Sequence, residues 1–181
     1  MTVYNVSDDT LFLISTIQED TPPGHLVLEI GTGNGLITEC LTKMGYSVIG
    51  TELLSQALTR TASRFAAGVR QNRPFLVLTE SAGSFRNTVF DSIIINPPYL
   101  PSIKISDIAI DGGVGGIQIL ENIIRSSINS LVKEGEIRFL LSSLSHCRDL
   151  WDNLGGLLHL EEMSRKKLFF EELIAIKARR I

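Results

Sequence analysis

Apolar residues along this chain fall into two kinds of run. Short blocks dense in Val, Ile, Leu and Phe recur at 25–30, 46–51, 75–79, 90–95, 135–141, 156–163 and 168–177. Each reads as a strand by its length and its β-branched content. Between them, apolar residues return at helical spacing. Leu36, Ile37, Cys40, Leu41 and Met44 mark one helix, with Gly45 as its stop. Ile119, Leu120, Ile123, Ile124, Ile128 and Leu131 form the apolar side of another over 117–131, and further helices are predicted over about 9–19 and 143–153. Strands alternating with helices predict an α/β domain: a mostly parallel sheet with helices on both faces.

The strand ends carry the chemistry. The first strand runs into Gly31-Thr32-Gly33-Asn34-Gly35 and then a helix, the geometry that brings a nucleotide close to bare backbone. The dinucleotide fingerprint needs Gly at position 36, where this chain has Leu. The G-x-G-x-G spacing therefore favours an adenosine cofactor without a pyrophosphate; the plain alternative is a tight strand-to-helix turn. The second strand ends in Glu52, placed to accept from ribose hydroxyls, or to serve as a carboxylate favoured by a helix N-terminus. The third ends in Glu80-Ser81, where a side chain could reach an adenine amino group or simply face solvent. The fourth, Phe90–Ile95, stops at Asn96-Pro97-Pro98-Tyr99. Proline cannot continue a ladder, so two prolines end the strand abruptly and leave Asn96 at its C-terminal end, where open α/β sheets place ligands. An Asn amide has one acceptor and one NH2 donor, which suits it to a planar amide or amino-aromatic group; the bland reading is punctuation between strand and loop.

Taken together, E-x-G-x-G-x-G from Glu29 to Gly35, the acids Glu52 and Glu80, and the tetrapeptide after strand four resemble the class I S-adenosylmethionine-dependent methyltransferases. The NPPY tetrapeptide narrows the resemblance to enzymes that methylate planar nitrogen. The chain is most similar to the short HemK-type glutamine methyltransferases that modify peptide-chain release factors. Val3-Tyr4 with Ser7–Leu13 is similar to that family's opening motif. Asp111–Gly116 is similar to its glycine-rich stretch, and 164–177 to its closing hairpin. Asn5 stands where the family usually has Pro, and Glu52 and Glu80 where it often has Asp. The resemblance implies a Rossmann-like, doubly wound, seven-stranded sheet with one antiparallel strand. It implies S-adenosylmethionine held by Thr10, Glu29, Gly31, Gly33, Gly35, Glu52, Glu80, Ser81 and Asn96. Asn96, Pro97, Pro98 and Tyr99 are the expected catalytic segment, with Asn96 Oδ1 and the Pro97 carbonyl accepting the target's two N–H bonds. It also implies a partner, a small zinc-binding activator at the edge strand Phe75–Leu78. The same tetrapeptide serves equally for adenine N6 or guanine N2 in RNA or DNA. A cofactor-binding subunit without turnover is the third class.

Composition changes this picture little. The chain has 181 residues, 44% hydrophobic, enough for one compact domain, with no Pro/Gly/Ser-rich linker and no internal repeat. A net charge of −3 argues against unaided binding of long nucleic acid. The exception is a basic tail of Arg165, Lys166, Lys167, Lys177, Arg179 and Arg180, read as a solvated edge or an RNA contact. The Gly112–Gly116 cluster reads as a mobile loop near the site. The two cysteines, Cys40 and Cys147, lie far apart, with no disulfide framework or metal-ligand spacing. Cys40 falls on an apolar helix face, and His25 and His159 lie at strand starts. Neither a leader nor an apolar run of about 20 residues is visible, which predicts a cytoplasmic protein.

Overall fold

A computed structural model describes residues 8–17, 24–66, 73–80, 82–102 and 111–181. Its elements follow the predicted alternation: α1 (Asp8–Ile17), β1 (Leu26–Ile30), α2 (Leu36–Lys43), β2 (Ser47–Glu52), α3 (Ser55–Ala66), β3 (Phe75–Leu78), β4 (Phe90–Ile95), α4 (Gln118–Ser127), β5 (Leu131–Ser142), α5 (Cys147–Leu154), β6 (Leu158–Lys167) and β7 (Glu172–Arg180). The strands form one seven-stranded sheet in the order β3-β2-β1-β4-β5-β7-β6. The pairs β2–β3, β1–β2, β1–β4 and β4–β5 are parallel, while β7 runs antiparallel to both of its neighbours. This is the Rossmann-like sheet with one reversed strand that the resemblance implies.

Both faces of the sheet are covered, which is why its central strands read as unbroken apolar runs. Successive residues of one strand feed two different cores. Ile93, Ile95, Ile137, Phe139 and Ile176 pack with Leu120, Ile124, Leu150 and Leu154 of α4 and α5. Ile94, Leu140 and Ala175 pack with Phe12, Leu13, Ile37 and Leu41 of α1 and α2. Cys40 joins this second core as predicted. Arg138, only 1% exposed, is held on β5 by Glu136 and donates to the Thr16 carbonyl. It thereby ties the last turn of α1 to the sheet. Among the described residues no helix is long and apolar enough to cross a membrane.

Several boundaries differ from expectation, three of them through a change in the kind of structure. The helix predicted over 117–131 ends at Ser127, passes through a 3-10 turn, and Leu131 already opens β5. The helix predicted from 143 begins at Cys147. The segment before it is a turn, because the Ser143 N–H bonds the Glu172 carbonyl and the Ser145 N–H bonds Ser142. The strand predicted from Leu168 begins at Glu172. Leu168–Glu171 is the turn of the β6–β7 hairpin, and its apolar Phe169 and Phe170 pack into neither core.

Candidate active site

The order of the sheet reverses direction between β1 and β4, the kind of crevice that open α/β sheets use for ligands. Register brings the predicted residues to one edge of it. Ile30 pairs with Ile95 and with Thr51, so Gly31, Asn96 and Glu52 leave the sheet side by side. Glu52 pairs with Leu78, which brings Thr79 and Glu80 to the same edge. Above them lies a cavity of about 630 Å³ lined by Thr10, Glu29, Gly31, Gly33, Glu52, Glu80, Asn96, Pro97, Pro98 and Tyr99. Gly35 is the exception among the described candidates. It caps α2, and a Cβ there would meet Thr61 at 2.8 Å, so its role is packing beneath the glycine turn. Ser81 and the opening Val3–Ser7 lie outside the described residues.

The polar groups of the wall are held from within the fold, with Asn96 Oδ1 and Glu29 Oε1 left unpartnered. Gly31 and Gly33 have positive φ, and a Cβ on either would project into open space, so the turn presents bare backbone to the cavity. Glu52 accepts three backbone N–H bonds: from Gly33 at 2.8 Å, Leu53 at 2.8 Å and Leu54 at 3.1 Å. The carboxylate thus clamps the glycine turn to the end of β2. A carboxylate has about four acceptor positions, so this clamp still leaves Oε2 capacity toward the cavity. The Asn96 NH2 donates to the Thr10 hydroxyl at 3.2 Å, while Asn96 Oδ1 is buried without a partner. Pro97 and Pro98 have no N–H, so from Asn96 Oδ1 to Tyr99 the wall offers acceptors and no backbone donor until Tyr99 itself.

Sequence reasoning missed Asp9, Asn34, Glu171 and a stripe of α4, all of which line the cavity. Asp9 is 3% exposed and accepts from the Tyr99 hydroxyl at 3.4 Å. The α4 stripe is Ile119, Asn122, Ile123 and Ser126. Its i, i+3, i+4, i+7 spacing was a visible signal, since two polar residues interrupt an otherwise apolar face. The predicted mobile loop is instead a packed brace. Gly112, Gly113, Gly115 and Gly116 are buried. Gly112 N–H bonds the Leu100 carbonyl, Ser102 N–H bonds Gly113, and Ser145 Oγ donates to the Tyr99 carbonyl at 2.8 Å. A residue with side chains on all sides cannot approach a backbone this closely, which is why the stretch is glycine. The basic tail is largely neutralised within the fold: Arg165 pairs with Glu162 and Glu172, Lys166 with Asp8, Lys177 with Glu161 and Arg179 with Glu136.

A match to the methyltransferase small domain family covers residues 4–169, which include every residue of the cavity wall named above except Glu171. The chain belongs to the methyltransferase small domain family. Over 99% of its length and 92% of the relative's, this methyltransferase is 32% identical to a protein of Methanocaldococcus jannaschii whose provisional name is protein N5-glutamine methyltransferase. Its fold matches that of the Mtq2–Trm112 complex of E. cuniculi, described as responsible for methylating the termination factor eRF1. That match, to one chain of the complex, has a TM-score of 0.81 and 23% identity and covers 100% of this chain and 100% of that one. It also matches the T. thermophilus 16S rRNA N2 G1207 methyltransferase, solved with AdoMet and guanosine, at TM-score 0.73 and 18% identity, over 98% of this chain and 44% of that one.

One wall of this methyltransferase's cavity is electrostatically unusual. Glu29 is 1% exposed; the Thr38 hydroxyl donates to its Oε2, and its Oε1 has no partner. Burial pushes the Glu29 carboxyl up to about 8, opposed by the Thr38 hydrogen bond and reinforced by the nearby Glu52 charge. The folded protein therefore keeps a proton that the unfolded chain releases above 4.5. Stability falls as pH rises from about 4.5 to about 8 and levels off above that. A Glu29→Gln variant lacks this slope. Its melting temperature relative to wild type should climb steadily across that window, corresponding to on the order of 3–5 kcal/mol. Calorimetric melting curves at several pH values read this directly; parallel curves would mean that Glu29 is ionised in the fold.

Proposed function

We propose that this methyltransferase moves a methyl group from S-adenosylmethionine to the side-chain amide nitrogen of the Gln in the Gly-Gly-Gln loop of a peptide-chain release factor. The observation that carries the reading is the buried, unpartnered Asn96 Oδ1 beside a pinned Asn96 NH2. Thr10 fixes the amide by taking its NH2, which leaves Oδ1 as the unused acceptor of a residue that lines the cavity. A buried acceptor calls for an N–H partner, because leaving it unpaired costs about 1–3 kcal/mol. Pro97 adds a carbonyl and no donor, which suits a target bearing two N–H bonds.

The residues present fit the cofactor. The bare backbone at Gly31 and Gly33, the Glu52 carboxylate and the orphaned Glu29 Oε1 line a volume within the usual range for small-molecule sites. When bound, S-adenosylmethionine supplies a methyl group already activated on a sulfonium, so no metal is required. The Gln nitrogen is a poor nucleophile because its lone pair is delocalised into the carbonyl. Asn96 Oδ1 and the Pro97 carbonyl would accept its two N–H bonds, fix its plane, and stabilise the positive charge that grows on it. The methyl group would pass from sulfur to nitrogen with the thioether as leaving group, and the proton displaced from nitrogen would pass to water. Pro98 and Tyr99, with the Tyr99 hydroxyl on Asp9, would pack against the flat amide and exclude water.

A small zinc-binding activator at Phe75–Leu78 belongs to the same reading, as does a cytoplasmic setting. β3 is an edge strand with Phe75 76% and Leu78 55% exposed, an aggregation hazard unless covered. The experiment is mass spectrometry of a release factor incubated with this protein and S-adenosylmethionine, with and without such an activator. One added methyl mass on the Gly-Gly-Gln glutamine is expected. An unmodified factor in both mixtures, alongside methyl transfer to adenine or guanine amines of RNA, would overturn the reading in favour of nucleic acid.

A further inference from the structure

The most exposed apolar side chains among the described residues are Phe169 at 94% and Phe170 at 86%. They stack edge to face, with centroids 5.1 Å apart, at the tip of the β6–β7 hairpin. β6 runs parallel to β5, so this tip lies at the same edge of the sheet as the cavity. Hydrogen bonds tie it there. Leu168 N–H bonds the Glu171 carbonyl across the turn, and Glu171 itself lines the cavity. Glu172 exchanges hydrogen bonds with Ser143, and two residues on, Ser145 holds the Tyr99 carbonyl. Leu144, 49% exposed, stands between those two serines. On the other side Lys166 of the hairpin pairs with Asp8 of α1, whose Leu11, beside Thr10, is 51% exposed. Three separate segments thus bring uncovered apolar side chains to the NPPY side of the site.

Neither core uses the two phenylalanines, so packing does not explain them. The surroundings favour protein over nucleic acid as the occupant. Phosphate contacts need available cations; of the three cations next to the turn, Arg165 and Lys166 are paired with Glu162, Glu172 and Asp8, and Lys167 stands opposite Glu172 in the β6–β7 register. Aromatic side chains whose neighbouring cations face carboxylates are of the kind enriched in protein interfaces. This surface also lies at the opposite edge of the sheet from Phe75–Leu78, so both could be occupied at once.

We propose that the Phe169–Phe170 turn, flanked by Leu144 and Leu11, is the docking surface for the folded body of the protein whose glutamine enters the cavity. This rests on the glutamine reading above, since the macromolecule that delivers its side chain past the NPPY segment must press against this rim. A Phe169→Ser/Phe170→Ser variant changes only solvent-exposed side chains and should melt as wild type does. Steady-state methylation of intact release factor should show KM raised roughly tenfold or more, as for loss of a central interface anchor. The kcat and the affinity for S-adenosylmethionine should be unchanged, and Phe169→Leu/Phe170→Leu should restore most of the KM. A serine variant with KM within twofold of wild type overturns the docking surface while leaving the function intact. So does a wild-type dimer that the variant dissolves without a change in KM, or loss of RNA binding in place of the KM effect. Wild-type protein that never methylates the factor removes the functional reading instead, and the docking surface with it.

Discussion

Replacing Asn96 by alanine will lower kcat for methyl transfer by roughly 10²–10³-fold, the usual loss when one preorganised group facing developing charge is removed. Asn96 lines the cavity, and its side-chain Oδ1 is buried without a partner. Its amide NH2 is spent on Thr10. The variant removes the acceptor without touching the glycine turn, the Glu52 clamp or Glu29. Cofactor affinity measured by calorimetry should therefore shift by no more than a few fold. A Thr10→Val variant should move in the same direction more weakly, because it frees the amide to rotate rather than deleting it. Wild-type turnover in Asn96→Ala would remove the NPPY segment from the chemistry altogether.

Gly116→Ala should be nearly as damaging for a different reason. A Cβ built on Gly116 lies 2.2 Å from the Tyr99 carbonyl oxygen, and the residue's φ is +70°. Both the clash and the backbone conformation act against alanine, so the 98–101 segment must move. A left-handed non-glycine residue costs on the order of 1–3 kcal/mol. A displacement near 1 Å at reacting groups can cost about 10²-fold in rate. The expected outcome is a lower melting temperature together with a large fall in kcat, while affinity for S-adenosylmethionine, expected to be set on the other wall at Gly31 and Gly33, should change little. Ser145→Ala, which removes only the hydrogen bond to the Tyr99 carbonyl, should show a smaller loss of the same kind. A Gly116→Ala enzyme that turns over normally would mean that the brace does not set the NPPY geometry.

Both variants act through contacts that are far apart in the chain, and this marks the limit of what could be read without coordinates. Thr10 and Asn96 are separated by 86 positions. The Thr10 assignment came through family resemblance, and nothing in its local pattern indicates that it orients an amide. Glu52 was legible as a strand-end acid. That its carboxylate would clamp the Gly33, Leu53 and Leu54 amides depends on how tightly the turn closes over β2. Asp9 stood within the segment that resembles the family's opening motif and was not read as a site residue. Its place in the cavity follows from Arg138 fastening α1 across the sheet.

The order of strands and helices, the glycine turn, the abrupt stop after Ile95 and the edge where ligands gather were all present in the amino-acid sequence. Those features arise from local physics: the period of apolar residues, the missing N–H of proline, and the freedom of glycine. The fold alone decided the rest. It turned Leu168–Glu171 from a strand into an exposed hairpin tip. It turned Gly112–Gly116 from a loose loop into a brace under Tyr99, and it spent most of the basic tail on internal carboxylates. Periodicity reports which residues can be buried; what stands opposite each of them depends on register and on contacts between residues tens of positions apart.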